Sequence, residues 1–135
     1  MPERKGHEVI ERSFERLRVH YELEKKLASR LKNAPAKQRS ELYTQVYDEL
    51  FCTIYDHPQL TERGNSPVRA RAIAQQIRLL ERFISPNTVF MEIGAGDCAF
   101  SCTIASQVKK VYAVDVSPEI TSNAQLPANA QLIIL

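Results

Sequence analysis

No run of apolar residues in this 135-residue chain approaches the length that crosses a bilayer. Nor does the charged opening stretch contain the apolar region of a secretory leader. Charge of one sign is missing too. Eighteen basic and sixteen acidic side chains leave a formal net charge of +2, which nominates neither nucleic acid nor a membrane surface as a partner. Cysteine is scarce and odd in number, at Cys52, Cys98 and Cys102. That argues against a disulfide framework and for reduced thiols in a cytoplasmic setting. Repeats and low-complexity tracts are absent. Only four glycines occur, and two of them, Gly94 and Gly96, stand one residue apart. What remains is ordinary for a globular protein, with 44% hydrophobic and 25% charged residues. A chain of this length can bury roughly two-thirds of the surface that its unfolded form exposes.

The texture changes along the chain. Residues 1 to about 84 are highly charged and read as a helical region. Beyond them, residues 85–135 carry short apolar runs separated by Gly, Asp, Asn and Pro. Apolar residues at Ile10, Phe14, Leu17 and Tyr21, then Leu27 and Leu31, predict a first helix over about Glu8–Lys32 with a slip near Leu23. Asn33-Ala34-Pro35 ends it. Tyr43, Val46, Tyr47, Leu50, Phe51 and Ile54 form the stripe of a second helix, Lys37–Tyr55. A loop is expected over Gln59–Ser66. Ser66-Pro67 is a helix start, a capping hydroxyl followed by proline, for a third helix bearing Ile73, Ile77, Leu80 and Ile84. Then follow a strand at Thr88–Ile93, a turn, a helix over Cys98–Gln107, a strand at Val111–Asp115, a helix start at Ser117-Pro118, and a strand at Gln131–Leu135. Strand, helix, strand, helix, strand is the pattern of an α/β parallel sheet. The fold expected is a helical N-terminal region followed by about three strands of a truncated Rossmann-like sheet.

The chemistry concentrates at Glu92-Ile93-Gly94-Ala95-Gly96-Asp97. A strand feeding a Gly-x-Gly turn that opens a helix lets a ligand approach the backbone closely. Asp115, at the end of the next strand, can accept hydrogen bonds from the ribose hydroxyls of an adenosine-containing ligand. Gly94-x-Gly96-x-x-Ala99 formally fits the dinucleotide fingerprint as well. Charge separates the two cases. A carboxylate about 5 Å from a phosphate charge costs roughly 3 kcal/mol at an effective dielectric near 20. Glu92 and Asp97 therefore disfavour a pyrophosphate and favour a cationic, phosphate-free ligand. A phosphate-binding P-loop is excluded, because no Gly-Lys-Ser/Thr follows the turn.

Glu92-Ile-Gly94-Ala-Gly96, followed by Asp115 after Val-Tyr-Ala-Val, resembles the first two motifs of class I S-adenosylmethionine-dependent methyltransferases over about residues 88–120. The resemblance implies that Gly94, Ala95 and Gly96 line the methionine portion of the donor, with Glu92 near its amino group, whereas Asp97 enters only by its charge and reads equally as the cap of the following helix. It also implies that Asp115 holds the ribose and that Val116 lies beside the adenine. Many members carry a third glycine where this chain has Cys98. A complete domain of that family has seven strands with the first in the middle of the sheet. The expectation is thus an N-terminal portion whose first strand keeps an open apolar edge. That edge would invite self-association unless helices or a partner cover it. The function expected is methyl transfer from S-adenosylmethionine. A nicotinamide-dependent oxidoreductase fragment and a non-catalytic interaction module are the alternatives.

Several other residues read as structural. Cys98 and Cys102 share a helix face and lack two further metal ligands nearby, so they are expected as buried thiols. His7, His20 and His57 are isolated in sequence and read as surface or loop residues. Tyr43, Tyr47, Phe51 and Tyr55 read as helix core.

Overall fold

A computed structural model describes residues 12–62 and 66–135. Six α-helices and three strands follow in order: α1 Phe14–Asn33, α2 Ala36–Thr53, α3 Pro58–Thr61, α4 Pro67–Leu80, β1 Val89–Ile93, α5 Ala99–Ile104, β2 Lys110–Asp115, α6 Pro118–Thr121 and β3 Ala130–Ile134. Short 3-10 turns extend α4 over Glu81–Phe83 and α5 over Ala105–Gln107.

Helix α1 begins later than its apolar spacing predicts. Ser13 caps it, its hydroxyl accepting from the Arg16 amide at 3.2 Å. Glu8 and Ile10 lie outside the described residues. The buried side of α1 is also not the first stripe. His20 and Leu27 are buried, with Leu23 and Leu31 packed beside them, whereas Phe14, Leu17 and Tyr21 face outward. The slip near Leu23 marks the change from one stripe to the other. On α2 the stripe holds at Val46, Leu50 and Phe51, continued by Ile54. Tyr43, Tyr47 and Tyr55 are exposed, so the aromatic series is core only at Phe51. Part of the expected loop after α2 is the one-turn helix α3. The His57 ring nitrogen Nδ1 accepts from the Gln59 amide at 3.2 Å, and Pro58 takes the first helical position. Ser66 caps α4 as expected, accepting from the Arg69 amide.

The molecule is α/β, with helices first and then a three-stranded parallel sheet in the order β1-β2-β3. In-register neighbours share a face. Phe90, Val111 and Ala130 lie side by side, as do Glu92, Ala113 and Leu132. Helices α4 and α5 cover this face. Ile73, Phe100, Ile104, Ala105 and Val108 pack with Val111, while Ala95 and Cys98 pack with Ala113. Val111 and Ala113 are wholly buried. Thus α4, from the charged N-terminal half, belongs to the sheet by packing. On the opposite face of β1, Val89, Met91 and Ile93 are 58%, 56% and 80% exposed.

Helices α1 and α2 make a second core of Leu27, Val46, Leu50, Phe51 and Ile54, and Ile120 of α6 completes it. That apolar contact docks the helical pair near the carboxyl end of β2. Polar contacts on α2 reinforce it, as described below.

Candidate functional site

The turn after β1 is built by backbone conformation before any side chain acts. Gly94 and Gly96 have φ of 77° and 56°, in the left-handed region that costs non-glycine residues about 1–2 kcal/mol. No atom lies within 4 Å of where a Cβ would stand at either position. The glycines are therefore required by torsion, and the space in front of both is open to an approaching ligand. The amides of Gly94 and Ala95 both donate to the Val114 carbonyl, at 2.8 and 3.0 Å, which ties the turn to β2.

Asp115 closes the loop. Its Oδ2 accepts from the Gly96 amide at 2.7 Å, and its Oδ1 accepts from the Val116 and Ser117 amides at 2.8 and 2.9 Å. An ionised carboxylate offers about four lone-pair sites. Three are engaged here, and the group is 9% exposed. The structure thus brings Gly94, Ala95, Gly96, Asp115 and Val116 together at the carboxyl ends of β1 and β2. Asp115 carries a loop-holding role, the one its place at a strand end also suggests. One acceptor site is left for an incoming hydroxyl, rather than a whole carboxylate.

Glu92 sits one layer below. It lies on the α5-covered face of β1 and accepts from the Ser101 hydroxyl at 2.6 Å. Burial pushes its carboxyl upward from the usual range, against the lowering effect of the Ser101 bond. Asp97 accepts from the Ala99 amide at 3.1 Å, so it supplies the first turn of α5 with an acceptor, as a cap would. It also lies 3.9 Å from the Arg69 guanidinium on α4. Arg69 was invisible to a reading confined to the loop. It places one positive charge beside Asp97 and lowers the Glu92 carboxyl through its field, against the rise from burial, so the acids at the loop are partly offset.

At Cys98 the residue that replaces the third glycine has φ 60° and ψ 13°, so it adopts the left-handed conformation glycine would favour. Its side chain is wholly buried between Ala95 and Ala113. The thiol therefore fills core volume and leaves the ligand-facing side of the loop clear. Burial pushes its pKa up to about 12 and that of Cys102 upward as well, so neither is a ready nucleophile. Cys102 donates to the Gln125 carbonyl at 3.4 Å. Among the described residues, no group of three or more His, Cys, Asp or Glu is arranged to hold a metal ion, and no helix is long and apolar enough to cross a membrane.

Helix α2 supplies residues that the motif did not include. Asp48 Oδ1 accepts from the Ser117 hydroxyl at 2.6 Å and from the Glu119 amide at 3.4 Å. Thr44 donates to the Leu135 carbonyl at 3.3 Å, and the Leu135 amide donates to the Asp115 carbonyl at 3.0 Å. Nothing local in residues 44–48 signals this, because the partners lie about ninety and seventy positions away.

Of the histidines, His57 is the loop residue expected, and His20 departs from its sequence reading. His7 lies outside the described residues. His20 and His57 are not isolated, since their rings stack with centroids 6.3 Å apart. His20 is buried, with Nε2 3.2 Å from Asp56 and Nδ1 3.0 Å from the Arg12 guanidinium. Arg16 pairs with the same Asp56 carboxylate, and this hydrogen bond holds that carboxyl well below the usual range. The cluster joins α1 to the start of α3.

No family model matches the chain, and no curated protein matches it.

Proposed function

We propose that this chain provides the S-adenosylmethionine-binding part of a methyltransferase. One observation carries the reading. Two positive-φ glycines with open space before them are clasped by an acid at the end of the neighbouring parallel strand. Gly94, Ala95 and Gly96 would take the amino-acid portion of the donor, Asp115 its ribose and Val116 the adenine side, with Glu92 and Asp97 adding negative charge around a cationic group. The donor supplies an electrophilic methyl for direct displacement. Such a step depends on positioning and exclusion of water more than on acid-base residues. Its acceptor is left unassigned. Three free thiols, one of them exposed, suit a reducing compartment, and we place the protein in the cytoplasm.

Arg69 is the observation that favours a second reading, a nicotinamide dinucleotide whose phosphates would meet a guanidinium near the loop. Against it stand Asp97, which already faces Arg69, and Glu92 and Asp115. A third reading keeps the loop as part of a non-catalytic interaction module. Calorimetry separates them. S-adenosylhomocysteine should bind, NAD should not, and Asp115→Ala should weaken binding by about 1.5–3 kcal/mol, the range for a hydrogen bond to a charged group. Tight NAD binding with no response to S-adenosylhomocysteine would end the methyl-donor reading, and silence toward both would leave the interaction module.

A further inference from the structure

Asp115 is positioned by α2 as well as by its own strand. Starting from the helix, Asp48 Oδ1 accepts from the Ser117 hydroxyl at 2.6 Å. That hydroxyl also accepts from the Ile120 amide at 3.4 Å, so its donor and one acceptor site are both used. Ser117 is wholly buried and has no exposure through which solvent could replace a lost partner. Its amide donates to Asp115 Oδ1, and Asp115 Oδ2 holds the Gly96 amide. Asp48, Ser117, Asp115 and Gly96 therefore form a continuous series of hydrogen bonds from α2 to the glycine turn. A second connection runs in parallel, from Thr44 through Leu135 to the Asp115 backbone carbonyl.

We propose that Asp48 is a positioning residue for the cofactor loop, so that the helical pair α1–α2 is a working part of the binding site rather than an appended domain. The ligand half of this proposal rests on the methyl-donor reading; the coupling of Asp48 to Gly96 does not. The physical reason is satisfaction of buried groups. Without the Asp48 oxygen, the Ser117 hydroxyl proton has no acceptor in its buried site, which costs more than the bond itself contributes. Ser117 must then shift, and its amide is one of the donors that orient Asp115. Loss of that orientation loosens the Gly96 amide and disperses the acceptor meant for the ribose. Asparagine at position 48 still offers an Oδ1 acceptor, so the requirement is for the oxygen and not the charge.

Asp48→Ala, Asp48→Asn and Leu50→Ala in the full chain test this. Leu50 is buried in the same helical core and its aliphatic side chain can take no part in the hydrogen-bonded series, so its truncation controls for general destabilisation. Amide hydrogen exchange without ligand is the first readout. Asp48→Ala should accelerate exchange at Gly96 and Ser117, while Asp48→Asn and Leu50→Ala leave the Gly96 amide near its original rate. Calorimetry with S-adenosylhomocysteine is the second. Asp48→Ala should weaken binding by about tenfold, as expected when a hydrogen bond to a charged group is lost or misdirected. Asp48→Asn should restore most of that affinity. Unchanged Gly96 exchange in Asp48→Ala, or equal effects from Leu50→Ala, would overturn the positioning role. If the unaltered chain ignores S-adenosylhomocysteine, the methyl-donor reading fails alone, and the exchange measurement still decides the coupling.

Discussion

Cys98 shows how one side chain can satisfy two demands that conflict. Its backbone needs the left-handed region, where a Cβ costs about 1–2 kcal/mol. Its side chain fills a buried site between Ala95 and Ala113. Cys98→Gly removes the torsional cost and opens a small cavity, so we expect a change within about 1 kcal/mol of zero. Cys98→Val adds both a methyl's volume to a filled site and a second branch at positive φ, and should destabilise by about 2 kcal/mol or more. Urea unfolding of the two variants checks this. A valine variant as stable as the glycine variant would show that Cys98 is not held left-handed. The sequence marked Cys98 as a departure from a glycine pattern. It could not show that the backbone keeps glycine's torsion while the thiol turns inward, because that depends on the α5–β2 packing. The same holds for Asp115. Its place at a strand end was legible, and its three amide partners were not.

At the scale of elements, the junction of α1, α2 and α3 carries the pH dependence. His57 caps α3 through Nδ1, which must be unprotonated to accept the Gln59 amide. Its pKa is lowered, first by burial and further by the charges of His20 and Arg12, with Glu24 at 3.7 Å opposing the shift. A histidine with a folded pKa below its unfolded value adds stability that is present above about pH 6.5, the ordinary value, and lost as pH falls toward the folded pKa. Glu92 works in the opposite direction. Its raised pKa means that the native state gains stability as pH falls from its folded pKa toward the ordinary carboxylate value. Comparison with His57→Asn isolates the histidine, since asparagine keeps a capping oxygen and removes the titration. Urea midpoints at pH 7.5 and 5.5 should fall more for the unaltered chain than for His57→Asn. Equal falls would remove His57 as the source. Helix α1 illustrates the limit of periodicity. Two stripes, Phe14-Leu17-Tyr21 and His20-Leu23-Leu27-Leu31, compete on one helix, and burial by α2 selects the second.

For the whole molecule, the edge strand β1 matters most. Among the described residues β1 pairs only with β2, and Val89, Met91 and Ile93 present an apolar row beside its other backbone edge. No lysine or proline guards it within the strand. We propose concentration-dependent self-association at this edge. Met91→Lys should lower it, with the weight-average mass from analytical ultracentrifugation falling toward that of the monomer. Association unchanged by that charge would place the contact elsewhere. Composition and periodicity were enough to determine an α/β chain with helices first, strands at their observed places within a residue or two, and a glycine turn opposite an acid. Those features are local, since torsional preference, capping and alternation act over a few residues. Tertiary structure alone decided which stripe of α1 is buried, that Arg69 faces Asp97, and that Asp48 meets Ser117. Those contacts join residues far apart in the chain, and only the packing of helices on a sheet brings them within bonding distance.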